Sequence, residues 1–143
     1  MLNEPIASTK TSSERLKVRY DLLYVAVGAV LGATLRYFIT SRSIFWGSLP
    51  LSVLTVNIVG SLILGISMAA VQRLGLGSDF VLFLGIGFCG AFTTMSSLAF
   101  ESANLMDAGM FITAAADIGL NMGLSLAVIF VGRALVFLVA GGG

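Results

Sequence analysis

Residues 85–97 read GIGFCGAFTTMSS, with three glycines and four hydroxyl side chains inside an apolar segment. Glycine costs about 1 kcal/mol relative to alanine in a helix, and serine and threonine compete with the backbone for hydrogen bonds. We therefore expect the helix to break near residues 90–94. Exposed backbone at membrane depth is tolerated where it lines a cavity or binds an ion. A tightly packed but continuous helix is the structural alternative.

This stretch lies in the third of four apolar segments, each about as long as the ~20 residues that cross a bilayer. The segments cover approximately residues 22–40, 51–71, 80–104 and 110–131. Only 10% of the 143 residues are charged and 57% are hydrophobic, whereas soluble domains carry about 25% charged residues. The composition predicts an all-α integral membrane protein, a four-helix unit over residues 22–140 with both termini on one side.

Residues 1–21 read as a polar N-terminal tail without the apolar core of a signal peptide. Basic residues are concentrated on the side of this tail: Lys10, Arg15, Lys17, Arg19 and Arg73. Since positive charge favours the cytoplasmic side, we expect a multi-pass protein of the inner (plasma) membrane with its tail in the cytoplasm. The net charge of +1 gives no electrostatic reason to expect a nucleic-acid partner.

The residue types present exclude several kinds of chemistry. The chain has no histidine and one cysteine, Cys89, which removes zinc sites, imidazole-assisted nucleophiles and intramolecular disulfides. The carboxylates Glu101, Asp107 and Asp117 form no set with a nucleophile or with other metal ligands. We therefore expect that the protein is not an enzyme.

Polar side chains at membrane depth mark the candidate site, because an ionisable one costs about 3 kcal/mol on insertion scales unless it finds a partner. One face of the fourth segment carries a polar residue at every fourth position: Thr113, Asp117, Asn121 and Ser125. In the second segment Asn57 shares a face with Ser61. Two interpretations stay open, namely hydrogen bonds that hold neighbouring helices together and the wall of a polar path.

Three motifs resemble those of the Fluc (CrcB-type) fluoride channels. Residues 87–98, followed by Glu101, resemble the third-helix signature of that family. Residues 56–61, VNIVGS, resemble its VNxxGS motif, and residues 32–37, GATLRY, resemble its GaxxRy motif. The resemblance covers residues 22–136. It implies a passive fluoride channel built as an antiparallel, dual-topology dimer of four-helix subunits, with two fluoride pathways and a central, structural sodium ion.

The resemblance also implies roles for single residues. The backbone carbonyls of Gly90 and Thr93 match the sodium ligands, and the Asn57 amide matches a donor to fluoride. The other residues along the implied fluoride pathway are Arg36, Thr94, Met95, Ser97, Leu98, Asn121 and Ser125. Amides and hydroxyls suit this ion because they replace its water without a fixed opposite charge that would trap it.

Aromatic residues are one departure from the family. Its two pore phenylalanines, whose positive ring edges can face an anion, fall on Met95 and Leu98. We therefore expect this protein alone to conduct weakly. Phe88, Phe92 and Phe100 are the alternative sources of an aromatic lining.

Acidic residues are the second departure. An ionised Asp117 about 4 Å from fluoride would repel it by about 4 kcal/mol at an effective dielectric near 20. Asp117 is therefore protonated, hydrogen-bonded away from the path, or beside a path of different course. Its role and that of Glu101 stay open.

Three classes of function remain. The first is a fluoride channel that exports cytoplasmic fluoride, either as a homodimer or with a homologous subunit that supplies the missing phenylalanines. The second is a proton-coupled exporter of the small multidrug resistance type, although residues 22–40 lack the carboxylate that such an exporter carries in its first membrane helix. The third is a non-conducting partner subunit.

Overall fold

The computed structural model describes residues 12–141, most of which are helical. In chain order the elements are α1 (Ser12–Thr40), β1 (Phe45–Trp46), β2 (Leu49–Pro50), α2 (Ser52–Leu74), α3 (Ser78–Phe80), a π-helical segment (Val81–Cys89), α4 (Gly90–Phe92), α5 (Met95–Asp107) and α6 (Phe111–Ala140). The two strands form a small antiparallel hairpin between α1 and α2.

Four helical spans within the described residues are long and apolar enough to cross a membrane, which confirms the predicted number. They are Leu16–Thr40, Ser52–Leu74, Ser78–Asp107 and Phe111–Ala140. The most apolar parts of the first and last spans are only 11% and 6% buried inside the subunit. Apolar surface of that extent needs lipid or another subunit against it, so the protein is a multi-pass membrane protein.

The outer helices are longer than the hydropathy pattern predicts. Helix α1 begins at Ser12, inside the segment predicted as a polar tail, and residues 1–11 of that tail lie outside the described residues. Its first turns contain Glu14 and Lys17, good helix formers that need no lipid around them. Helix α6 continues past the exposed Arg133 to Ala140, nine residues beyond the predicted end.

Close helix packing depends on glycines. A methyl group at Gly28 or Gly32 would collide with backbone of the π-helical segment, and one at Gly65 or Gly132 would collide with backbone across the α2–α6 contact. Such close approach between backbones is how helices associate in lipid. The GxxxG pair of the fourth helix behaves differently, because nothing lies within 4 Å of a methyl group placed at Gly119 or Gly123.

The third span is broken where the sequence predicts. Helix α4 ends at Phe92, and the backbone of Thr93 and Thr94 is extended, with φ/ψ of −75°/156° and −150°/115°. Helix α5 then begins at Met95, and Thr94 caps it because its side-chain oxygen accepts a hydrogen bond from the Ser97 N–H at 3.1 Å. The predicted break is therefore confirmed, and the continuous-helix alternative is wrong.

Candidate functional site

A cavity of about 310 Å³ opens on one face of the subunit beside the break. Most of the predicted pathway residues line it: Asn57, Thr94, Met95, Leu98, Asn121 and Ser125. The two predicted sodium ligands, Gly90 and Thr93, line it as well, together with Ser61. The structure therefore brings predicted site residues from three of the four spans to one place, between α2, α6 and the broken span.

Two predicted pathway residues lie outside the cavity wall. Ser97 is joined to it by Thr94, whose hydroxyl donates to the Ser97 Oγ at 3.0 Å. Arg36 is half-buried near the end of α1 and does not line the cavity. The carbonyl of Arg36 accepts a hydrogen bond from the Thr40 hydroxyl at 2.9 Å.

Asn57 joins α2 to the break through its side-chain amide. Its Oδ1 accepts the Thr94 N–H at 2.8 Å, and its Nδ2 donates to the Thr94 carbonyl at 3.3 Å and to Asn121 Oδ1 at 2.8 Å. Asn57 is 8% exposed and Thr94 is 5% exposed. Because backbone groups buried without partners are costly, the amide stabilises a break that would otherwise leave the Thr94 N–H unpaired.

The polar stripe on α6 continues this network. Asn121 Nδ2 donates to Asp117 at two points, the carboxyl Oδ1 at 2.9 Å and the backbone carbonyl at 3.0 Å. The Ser102 hydroxyl on α5 donates to Asp117 Oδ2 at 3.4 Å. Asp117 is 0% exposed and does not line the cavity. Of the open interpretations of Asp117, the structure supports the one in which its carboxyl is hydrogen-bonded away from the cavity.

Gly90 and Thr93 are two of the residues whose carbonyls lose their donors at the break, because in a continuous helix the N–H of residue i+4 donates to the carbonyl of residue i. The Thr94 N–H, which would donate to Gly90, donates instead to Asn57. The Ser97 N–H, which would donate to Thr93, donates instead to the Thr94 hydroxyl. Carbonyl oxygens at a helix C-terminus attract cations, so the carbonyls of Gly90 and Thr93 fit the predicted cation site.

Two buried side-chain polar atoms have no hydrogen-bond partner among residues 12–141: Ser125 Oγ and Glu101 Oε2. Ser125 lines the cavity, whereas Glu101 does not. A hydroxyl that is withdrawn from water and unpaired within the subunit is a donor left for something else. The Ser125 hydroxyl is therefore a donor in the cavity wall that no group of the described subunit occupies.

The aromatic residues do not border the cavity. Phe92 is 1% exposed and stacks on Phe88 with ring centroids 5.4 Å apart, and Phe100 is 68% exposed elsewhere on the subunit. The structure thus gives no support to these rings as a substitute lining. Met95 is 65% exposed where it lines the cavity, whereas Leu98 is 2% exposed.

Ser102 is the member of the network that the sequence analysis missed. It lies eight residues after Thr94 and fifteen before Asp117. The signal was present, because position 102 falls two turns after position 94 on one helix face.

Four spans, one of them broken beside a largely apolar cavity that also exposes amide and hydroxyl groups, define a small multi-pass membrane protein. Residues 23–133 match the family model described as CrcB-like protein, Camphor Resistance (CrcB). The chain belongs to this family, as the resemblance of its motifs predicts.

Three named relatives align with most of the chain. One from Nitrosopumilus maritimus is 42% identical over 115 residues, which are 80% of this chain and 91% of the relative. One from a Sulfurihydrogenibium species is 40% identical over 116 residues, 79% of this chain and 94% of the relative. One from Shewanella pealeana is 36% identical over 119 residues, which are 82% of this chain and 96% of the relative. All three are named fluoride-specific ion channel FluC, and membership of a channel family confirms that the protein is not an enzyme.

Proposed function

We propose that this chain forms a passive, fluoride-selective path through the membrane, and that the path runs through the cavity beside the broken span. The observation that carries the proposal is the unpaired, buried hydroxyl of Ser125 in a wall that also contains the Asn57 amide. Three relatives named as fluoride-specific channels support the choice of ion.

The mechanism follows from the hydration of the ion. Fluoride crosses a membrane only where protein donors replace its water, and neutral O–H and N–H groups do so without trapping it. The Ser125 hydroxyl supplies one donor. Asn57 supplies a second, because its hydrogen bond to the Thr94 carbonyl is long, 3.3 Å, and is the one that an anion displaces most easily. The N-terminus of α5 at Met95 adds a favourable dipole.

Liposomes containing only the purified protein test this function. A fluoride electrode should record fluoride efflux, and a chloride electrode should record none from matched vesicles. Ser125→Ala should lower fluoride efflux by about tenfold, the effect of about 1.4 kcal/mol on the barrier. Ser67→Ala is the matched control, because the Ser67 hydroxyl is occupied by the Ile63 carbonyl at 2.6 Å and lies outside the cavity wall. Equal release of chloride and fluoride by the wild type would refute the proposal.

A second subunit covers the open side of the cavity in this proposal. The cavity is bordered on that side by the exposed Met95 and Met122, and the exposed Gly119 and Gly123 lie on the same helix as Met122 with room for another helix. Gly123→Leu should therefore separate the subunits on size exclusion without unfolding them. Gly65→Leu, in which the same side chain meets α6 backbone, should prevent folding of the subunit itself. An intact dimer of Gly123→Leu would contradict this interface.

The arrangement we propose is antiparallel, with each subunit inserted in the opposite direction. The excess of basic residues on the side of the N-terminus opposes equal insertion in both directions, so the partner is either a second copy or a homologue of opposite charge bias. Labelling of a cysteine introduced at one terminus, from each side of the membrane, tests whether this chain is inserted in both directions. If every copy is labelled from the same side, the chain is inserted in one direction only, which favours the heterodimer.

A structural sodium ion completes the proposed assembly. The carbonyls of Gly90 and Thr93 would hold it, and its positive charge would favour anions nearby. Two carbonyls are too few to replace the hydration shell of a cation, so the second subunit contributes the rest. Replacing sodium by N-methyl-D-glucamine should lower the unfolding temperature of the assembled protein, because a ligand bound only to the folded state stabilises it. An unchanged unfolding temperature would remove the ion from the proposal.

The direction of transport follows from the passive mechanism and the proposed place in the inner membrane. Fluoride that enters an acidified cell as HF dissociates inside, and an open path lets the anion leave down its gradient. A proton-coupled exporter has less support, because Asp117, the carboxylate it would use, is fully buried and outside the cavity wall.

A further inference from the structure

Asp117 has no role in the path proposed above, although its carboxyl group lies at the end of the hydrogen-bond chain that begins at the break. We propose that Asp117 is a positioning residue: it holds Asn121 in the orientation in which the Asn121 oxygen binds one hydrogen of the Asn57 amide. The inference rests on the proposed function, in which Asn57 donates to fluoride.

The direction of the chain is set at its two ends. The Thr94 N–H can only donate, so Asn57 turns its oxygen toward it at 2.8 Å and its Nδ2 toward Asn121. At the other end, Asp117 offers Asn121 two acceptors, the carboxyl Oδ1 at 2.9 Å and its own carbonyl at 3.0 Å. Asn121 therefore donates to Asp117 and accepts from Asn57.

The reversed orientation of Asn121 has no partners. Its oxygen would face the two oxygens of Asp117, and its Nδ2 would face the Nδ2 of Asn57 across 2.8 Å. The site is closed to water, since Asn121 is 2% exposed and Asp117 is 0% exposed. In such surroundings an unpaired donor or acceptor keeps its full desolvation cost, so the acceptors on Asp117 select one orientation.

The orientation of Asn121 determines how firmly each of the two Nδ2 hydrogens of Asn57 is held. Asn121 holds one of them at 2.8 Å, and the Thr94 carbonyl holds the other at 3.3 Å. A hydrogen bond near 2.8 Å is strong and one beyond 3.2 Å is weak. The chain from Asp117 thus binds one hydrogen of Asn57 firmly and leaves the second for an anion in the cavity.

This role requires a hydrogen-bond acceptor at position 117, but it does not require that the acceptor be charged. Asp117→Asn keeps an oxygen that can accept from Asn121, and its new amide can donate to Ser102. Asp117→Ala removes the side-chain acceptor. Ser102→Ala is the matched control, because it removes the other hydrogen bond of the same carboxyl and leaves the chain to Asn57 intact.

Two measurements on the full chain, reconstituted in micelles or liposomes, test the proposal. In ¹⁵N NMR spectra, the side-chain amide of Asn57 should shift in Asp117→Ala and keep its wild-type position in Asp117→Asn and Ser102→Ala. Fluoride efflux should fall by about tenfold in Asp117→Ala and stay within about twofold of the wild type in the other two. Asp117→Ser, whose hydroxyl is too short to reach Asn121, replaces Asp117→Ala if that variant fails to assemble.

Either of two results overturns the proposal. One is an Asn57 resonance in Asp117→Ala that coincides with the wild type, and the other is an Asp117→Asn variant as impaired as Asp117→Ala. The NMR comparison needs no fluoride. A wild type that conducts no fluoride therefore defeats the proposed function, while the Asn57 resonances still decide whether Asp117 holds Asn121 against the Asn57 amide.

Discussion

Exchanging the side-chain amide of position 57 with the side-chain carboxyl of position 117 directly tests the direction of the buried hydrogen bonds. Asn57→Asp removes two donor hydrogens and places an oxygen 2.8 Å from Asn121 Oδ1. Asn121 cannot relieve this by turning, because its oxygen would then meet Asp117. Asn57→Asp combined with Asp117→Asn permits a reversed chain, in which position 117 donates to Asn121 and Asn121 donates to position 57. The Thr94 N–H keeps its acceptor throughout.

The expected magnitudes follow from these contacts. Asn57→Asp loses the short hydrogen bond to Asn121 and the long one to the Thr94 carbonyl, and it leaves a buried acceptor unpaired. At about 1.5, 1 and 1.5 kcal/mol, these losses should lower the free energy of unfolding by about 4 kcal/mol. That is a large share of a typical total of about 5–15 kcal/mol. The double substitution restores the chain except for two contacts, that of Asn121 with the backbone carbonyl of position 117 and that of position 57 with the Thr94 carbonyl. It should therefore lie within about 2 kcal/mol of the wild type, a coupling of about 2 kcal/mol between the two sites.

Unfolding by SDS, followed by circular dichroism, measures the stabilities of the wild type, both single variants and the double variant. Fluoride efflux provides an independent readout, because the double variant has no N–H at position 57 and should not conduct even when it is stable. If the changes in the free energy of unfolding caused by the two substitutions simply add, the proposed direction of the hydrogen-bond chain is refuted. A stable double variant that conducts like the wild type would instead show that the Asn57 amide is not the donor to fluoride.

Three further expectations concern the residues around the break. Met95→Phe should raise fluoride efflux by about tenfold, because it places a positive ring edge at an exposed position of the cavity wall; an unchanged rate would show that the highest barrier lies elsewhere. Leu98→Phe should lower the free energy of unfolding by about 1–3 kcal/mol in an SDS titration, because Leu98 is 2% exposed and has little room to grow. Thr94→Ala should cost about 1 kcal/mol through loss of the α5 cap, and Thr94→Ser, which keeps the hydroxyl, should cost less in the same titration.

The number of spans and the position of the break could be predicted from the sequence because both depend on local composition. Twenty apolar residues in a row have few alternatives to a membrane helix, and the glycines and hydroxyls of residues 85–97 weaken a helix wherever they occur. Helix ends were less predictable. Arg133 does not end α6, because at an exposed position its charge needs no partner inside the subunit.

The pairing of the polar residues could be predicted only in part. The spacing of four placed Asp117, Asn121 and Ser125 on one face, but spacing within one helix does not say which helix lies opposite. The contacts of Asn57 with Thr94 and Asn121 join residues 37 and 64 positions apart. Such contacts depend on how the helices pack, and here the close packing requires glycines at positions where a Cβ would collide with neighbouring backbone.

The polar groups of the membrane-spanning region thus fall into two sets with different consequences. Asn57, Thr94, Asn121, Asp117 and Ser102 bond to one another, and their first effect is to make an extended backbone possible at membrane depth. The same bonds release two carbonyls and leave one amide hydrogen weakly held, so the network that stabilises the break also produces the groups that an ion can use. Ser125 belongs to the second set, since nothing within the described subunit pairs with its hydroxyl. A side chain of that kind adds no hydrogen bond to the fold, so its hydroxyl remains free for the ion of the proposed path.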